Sequence, residues 1–175
     1  PSVGHVVSAV VMLCYLVAFR TLLCTFNELC IRANEAPDGK WSPGNTPGVS
    51  IIKPLKGVHS LLMQTLSSCF ELNYPKLEVL FCVEDANDPA VALAQELIAK
   101  HPDVDARVLV GVDTFCPSAR INPKAANMAK GFRAAKYDVL WGADANTLHT
   151  SHDLSCLLRQ LCPARMGLVH QMPWL

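Results

Sequence analysis

Acidic residues close two apolar runs of this chain. Leu77–Val83 (LEVLFCV) leads into Glu84-Asp85 and then Asp88-Pro89, and Val139–Ala143 (VLWGA) leads into Asp144-Ala145-Asn146. Between them stands Ile121-Asn122-Pro123-Lys124-Ala125-Ala126-Asn127. Carboxylates at the C-terminal ends of two buried strands describe the crevice in which open α/β sheets bind their ligands. Oxygen ligands there can hold a divalent cation, and the cation can hold a diphosphate. Asp144 and Asn146, spaced i, i+2, can reach one metal and one ribose together; alternatively Asp144 only closes an Asx-turn. Asp88 makes a good helix N-cap whatever else it does, and Asp85 carries the same two readings. Lys124, just inside a helix N-terminus, either adds a cation to a phosphate site or is simply solvated. His149 and His152 have zinc-like spacing, but no further ligand is in reach by sequence.

Several chemistries lack their residues. There is no G-x-G-x-x-G after a strand, no G-x-x-x-x-G-K-[ST] and no G-x-S-x-G, so a glycine cradle for phosphate and a serine nucleophile elbow have no support. Phosphate-facing chemistry must come from metal and side chains. The formal net charge is zero without basic clusters, which argues against nucleic acid as a partner. The eight cysteines contain no C-x-x-C pair; Cys14 and Cys24 lie in the apolar N-terminal segment and Cys69, Cys82 and Cys156 in apolar patterns, which favours reduced, mostly buried thiols over disulfides.

The elements that must position these residues follow from periodicity. Val49–Lys53, Leu77–Val83, Asp105–Val110 and Asp138–Ala143 read as strands, with Met166–His170 as a fifth. Helices are expected over His59–Leu72, from Pro89 behind the Asp88 cap, from Pro123 behind the Asn122 cap to about Ala135, and over Ser151–Leu161. Strand and helix alternating at this spacing predict an α/β fold with a mostly parallel, doubly wound sheet. Ahead of it, Val3–Phe19 is nearly free of polar groups and extends to Phe26 if Arg20 snorkels. About 24 residues at ~1.5 Å each would cross a ~30 Å hydrocarbon core. Residues 1–26 therefore read as a transmembrane anchor, with a cleaved signal peptide as the rival. Asn34–Gly48, rich in Pro, Gly, Asn and Asp, reads as linker, so 27–48 is juxtamembrane and 49–175 the globular part. Arg20, Arg32 and Lys40 follow the apolar segment and no basic residue precedes it, which puts the globular part in the cytosol.

The combination resembles the ceramide glucosyltransferase family over roughly Pro47 to Pro173. The resemblance is carried by VSIIKPLKG (Val49–Gly57), FELNYPK (Phe70–Lys76), EVLFCVEDANDP (Glu78–Pro89), Asp105-Ala106-Arg107, Ile121-Asn-Pro-Lys124 with Asn127, AKYD (Ala135–Asp138) and GLVH (Gly167–His170). KPLKG and INPK are its most specific elements, and Asp144-Ala-Asn146 is a near-match to the D-x-D motif of sugar-nucleotide transferases. The resemblance implies a GT-A fold and a Golgi membrane enzyme that moves glucose from UDP-glucose to ceramide with inversion, using a divalent metal such as Mg or Mn. It implies that Asp85 lies near the uracil or ribose, that Asp88 and Asp144 are the family's first and second aspartates, and that Asp144 lies at the metal and diphosphate. Lys124 and Asn146 complete the substrate-binding set. Asn146 departs from the family's acidic residue; being neutral, it leaves Asp144 as the single carboxylate on the metal. The third aspartate, the expected base, lies beyond Leu175 by this resemblance, so residues 1–175 alone are expected to transfer no glucose and to bind UDP weakly at most, with metal. A transferase acting on a polyprenyl phosphate or a polysaccharide is the alternative enzyme, and an inactive nucleotide-binding fragment the alternative outside catalysis.

Overall fold

A computed structural model describes residues 46–112, 122–161 and 167–170, together with Met12, Tyr15, Val17, Ala18 and Arg20. Eight elements follow one another through its main part. They are β1 (Val49–Leu55), α1 (Leu62–Phe70), β2 (Leu77–Val83), α2 (Pro89–Lys100), β3 (Asp105–Val110), α3 (Pro123–Ala134), β4 (Val139–Gly142) and α4 (Ser151–Leu161). The four strands form one sheet in the order β3-β2-β1-β4, and every pairing is parallel.

Strand parity sorts the core into two layers, because successive side chains in a strand face opposite ways. Ile51 and Leu55 of β1 join Val79, Phe81 and Val83 of β2 on the face covered by α1 and α2, through Leu62, Leu66, Ala94 and Leu97. Ile52, Leu80 and Cys82 face the other way and pack with Met128 and Ala134 of α3. Helices on both faces make the sheet doubly wound, as its alternating pattern predicts. α3 lies close to the sheet: a Cβ at Gly131 would come within 2.6 Å of Ile52 Cγ2 and 2.8 Å of Cys82 Sγ. Position 131 must be bare for that approach.

α1 ends at Phe70 instead of Leu72 and β4 covers Val139–Gly142 instead of Asp138–Ala143; three further differences have identifiable reasons. β1 runs through Pro54 to Leu55. Ala143 N donates to Ile52 O at 3.0 Å, so even-numbered peptide groups of β1 turn toward β4. That pairing ends at Ile52–Gly142, so the N–H that Pro54 lacks has no acceptor to miss. α1 begins at Leu62 instead of His59, because no side chain caps it earlier. Gly167–His170 are not a strand; no neighbour pairs with them among the described residues, and Leu168 is exposed.

Contact density divides the described residues into two compact units, one carrying the sheet and ending at Ser155, the other holding the described positions before Gly39 and residues 156–161 and 167–170. In the second, Met12, Tyr15, Val17, Ala18 and Arg20 are helical and exposed. The rest of the Val3–Phe26 segment lies outside the described residues. Among those described, no helix is long and apolar enough to cross a membrane.

Candidate active site

With β1 flanked by β2 on one side and β4 on the other, chain direction across the sheet reverses between β1 and β4. Ligands of open α/β sheets bind outside the strands' carboxyl ends at such a switch point. Four chain segments meet that edge: Lys56-Gly57 after β1, Glu84 to Asp88 after β2, the N-terminus of α3, and Asp144 to Thr147 after β4.

The aspartates there are not equivalent. Asp85 engages one oxygen in its own turn, Oδ1 accepting from Asn87 N at 2.9 Å and Asn87 Nδ2 at 3.3 Å. Asp88 caps α2 through Ala90 N at 2.8 Å and takes the Gly57 N–H with both oxygens, at 3.0 and 2.8 Å. Gly57 sits at φ +66°, a conformation that favours glycine. The Asp88 carboxylate therefore ties the turn of the KPLKG segment to α2. Asp144 differs from both. Its turn is closed by its backbone carbonyl, which accepts from Thr147 N at 3.2 Å and Thr147 Oγ1 at 3.0 Å. The carboxylate is left out of that turn and bonds the Lys124 ammonium through Oδ1. Asn146 is exposed beside it.

Asn122 caps α3 as expected, accepting from Lys124 N at 3.0 Å. The sequence reading puts Lys124 at a phosphate; in the structure its ammonium meets Asp144, half-exposed on both sides. Asn127 crosses the edge of the sheet, its amide donating to Cys82 O at 2.7 Å and lying 3.4 Å from Leu55 O. Its Oδ1 is buried without a partner. Lys130 donates to Gly111 O at 2.6 Å and to Val83 O, which satisfies carbonyls where β2 and β3 end.

Three polar residues escaped the sequence reading as site elements: Lys53, Thr65 and His149. Lys53 and His149 are buried and lie 3.2 Å apart through Nζ and Nε2. Burial pushes the Lys53 ammonium below its usual range, and nearby Cys69 and Asp144 oppose that shift. Burial, then the Lys53 charge, lower His149 to about 4, so its ring is neutral at physiological pH. Trp141 meets that ring edge-on at 4.6 Å. Neither residue carries a sequence signal for this pairing, since nothing in the local pattern links β1 to the loop after β4. Among the described residues, His149 and His152 belong to no group of three His, Cys, Asp or Glu side chains that could hold an ion. Burial also raises Cys69 and Cys82 to about 11, so both behave as inert core thiols.

A divalent cation fits this donor set in one way only. Mg-type ions keep several waters and are often held by one or two carboxylates plus substrate phosphates. Asp144 offers one exposed carboxylate, with Oδ2 outside any protein hydrogen bond among the described residues, and Asn146 offers a neutral carbonyl. An all-protein cage is not available there, whereas a shared protein–diphosphate site is.

The chain is thus an open, parallel, doubly wound α/β fold with an exposed aspartate at its switch point. The glycosyl transferase family 21 model matches residues 3–175, and the chain belongs to that family. It is 44% identical over 117 residues to a ceramide glucosyltransferase of Komagataella phaffii, covering 65% of this chain and 22% of the relative. It is 31% identical over 182 residues to that of Gibberella zeae, covering 96% of this chain and 34% of the relative. The chain thus spans between about a fifth and a third of these relatives' length. The fold resembles a mannosyltransferase from Pyrobaculum calidifontis, solved with GDP-Man and Mn2+, at a TM-score of 0.60 and 22% identity over 78% of this chain and 39% of the other. That likeness agrees with the GT-A-like arrangement.

Proposed function

We propose that the complete protein transfers glucose from UDP-glucose to ceramide, with inversion at the anomeric carbon. The observation that carries the donor side is the Asp144 carboxylate, held at the switch point yet uncommitted to its own turn. The acceptor rests on the names of the relatives. In this reading Asp144 holds a divalent cation, Asn146 adds an amide contact, and Lys124 leaves Asp144 to meet the diphosphate. The cation, when bound, offsets the negative charge that develops on the departing UDP. Asp85 faces the nucleoside from the end of β2. Asp88 acts one step removed, by fixing the Gly57 turn. The ceramide hydroxyl is deprotonated by a carboxylate that the family resemblance puts beyond Leu175.

Membranes carrying the full-length protein are expected to make glucosylceramide from UDP-glucose and ceramide, in a metal-dependent manner. Product with a polyprenyl phosphate and none with ceramide would replace the acceptor assignment; UDP-glucose left unbound would remove the donor assignment.

We also place the protein in the Golgi membrane, with one span near residues 1–26 and the sheet in the cytosol. Basic residues on one side of the apolar segment support this orientation. Protease added outside sealed microsomes should then digest the part from Val49 onward, and protection without detergent would reverse the topology.

A further inference from the structure

Lys53 has no part in the donor site as drawn so far. It lies in the middle of β1, fully buried, on the face toward α1. A charge taken out of water is costly unless it is matched by good partners. An ammonium has three donors, and here each has an acceptor. Nζ donates to Thr65 O of α1 at 3.1 Å and to Thr147 O at 2.8 Å, and lies 3.2 Å from His149 Nε2. Two of those three acceptors belong to the loop after β4.

Other struts run the same way. Thr65 Oγ1 lies 2.6 Å from Ala145 O and 3.0 Å from Leu62 O. Ser68 Oγ accepts from His149 N at 3.1 Å and reaches back to Thr65 O at 2.9 Å. The carbonyls of Ala145 and Thr147 are therefore gripped from β1 and α1, while Asp144 and Asn146, which alternate with them, stay exposed. A buried apolar side chain of similar length would avoid the desolvation cost of a lysine. What it could not do is hold the Thr147 carbonyl, and the turn would then keep only the Thr65 grip on Ala145 O and its own bonds to Asp144 O.

We propose that Lys53 and Thr65 are positioning residues of the donor site: they fix the backbone on either side of Asn146, so that Asp144 and Asn146 are presented together to one cation and its diphosphate. The inference rests on the donor-site reading given above. It also gives the KPLKG segment two tasks at one site, Lys53 bracing the β4 loop from below and Gly57 turning under the grip of Asp88.

The test uses the full-length enzyme and three variants, Thr65→Val, Thr65→Ser and Lys53→Met. Glucosyl transfer is titrated with MnCl2 at saturating UDP-glucose, and thermal melting is recorded alongside. Support for metal ligands from outside the coordination shell is typically worth ~10–100-fold in affinity. Thr65→Val should accordingly raise the Mn2+ concentration for half-activation about tenfold, with a smaller change in rate at saturating metal. Thr65→Ser, which keeps the hydroxyl, should restore it. Lys53→Met should shift half-activation in the same direction and further. If melting falls in Thr65→Val while half-activation stays at the wild-type value, the network is a plain structural brace and the inference is overturned. Should Lys53→Met fail to fold, the Thr65 pair decides alone. A wild-type enzyme that transfers glucose with no dependence on divalent metal would strike down the donor-site reading itself, and this inference with it.

Discussion

Asp144→Ala in the full-length protein is expected to lower glucosyl transfer by at least ~10²-fold, the scale on which a preorganised electrostatic partner of the leaving group acts. Stability should hardly move. The carboxylate is exposed, its ion pair with Lys124 is of the surface kind worth about 0–1 kcal/mol, and the turn is closed by backbone that alanine leaves in place. A melting curve within about 1 kcal/mol of wild type, together with lost transfer, is the combined result. Near-normal turnover in a well-folded Asp144→Ala enzyme would take this residue out of the site. Lys124→Ala has a different signature. Removing the ammonium frees Asp144 Oδ1, so binding of the metal alone should hold or strengthen, whereas binding of UDP-glucose should weaken because a phosphate partner is gone. Weaker binding of both would mean that Lys124 supports Asp144 and never meets the diphosphate.

The largest effect on stability is expected from Glu78→Ala, at the opposite end of the strands. Glu78 is fully buried in β2. Oε2 accepts from Ser50 Oγ at 2.6 Å and Lys136 N at 2.9 Å, and Oε1 accepts from Arg107. Ser50 is its direct register partner on β1, and Arg107 comes from β3 one ladder step on, so one carboxylate ties three strands and the start of β4's approach. Alanine would leave a cavity and strand buried donors, each costing about 1–3 kcal/mol when unmatched. A total near ~3–5 kcal/mol is a large share of the ~5–15 kcal/mol that holds a typical domain. Glu78→Gln should cost less, since one carbonyl oxygen survives, though its NH2 then faces a donor. Denaturant melts check both. The KM for UDP-glucose should remain near wild type in whatever fraction folds, because Glu78 is remote from the carboxyl edge of the sheet. A Glu78→Ala protein that melts like wild type would show that water replaces the carboxylate at no cost.

These two residues show what the sequence makes legible. β2, β3 and α4 are found at the predicted residues, because runs rich in Val and Leu and an amphipathic stripe, bounded by turn residues, leave little choice of period. The caps at Asp88 and Asn122 are equally legible, since Asp-Pro and Asn-Pro place an acceptor and a missing N–H where a helix start wants them. Asp144 could be picked out because it stands at a strand end. Which aspartate keeps its carboxylate out of its own turn could not, because Asp85 and Asp144 look alike until backbone geometry shows that one turn engages the side chain and the other does not. Glu78 was hidden inside a run that reads as apolar, and its partners Ser50, Arg107 and Lys136 lie 28, 29 and 58 residues away. Lys53 was hidden similarly: a lysine in a strand suggests an outward face, and only the packing of α1 and the β4 loop makes an inward one tolerable. Pairwise polar burial between distant segments leaves no periodic trace.

The strand order has a consequence in time. Val49 finds its β2 partner at Leu77, but its β4 partner, Val139, comes much later in the chain. Closing a longer loop adds only slowly to the entropic cost, yet synthesis delivers the segments in sequence. As the polypeptide leaves the ribosome, β1, β2 and β3 can pair with α1 and α2 in place while the flank of β1 facing β4 stays bare, an edge open to wrong partners. The strand that covers this flank is the one that brings Asp144. Asp144 thus arrives together with the cover of β1, and a chain that stalls before Gly142 lacks that aspartate and is left adhesive along β1.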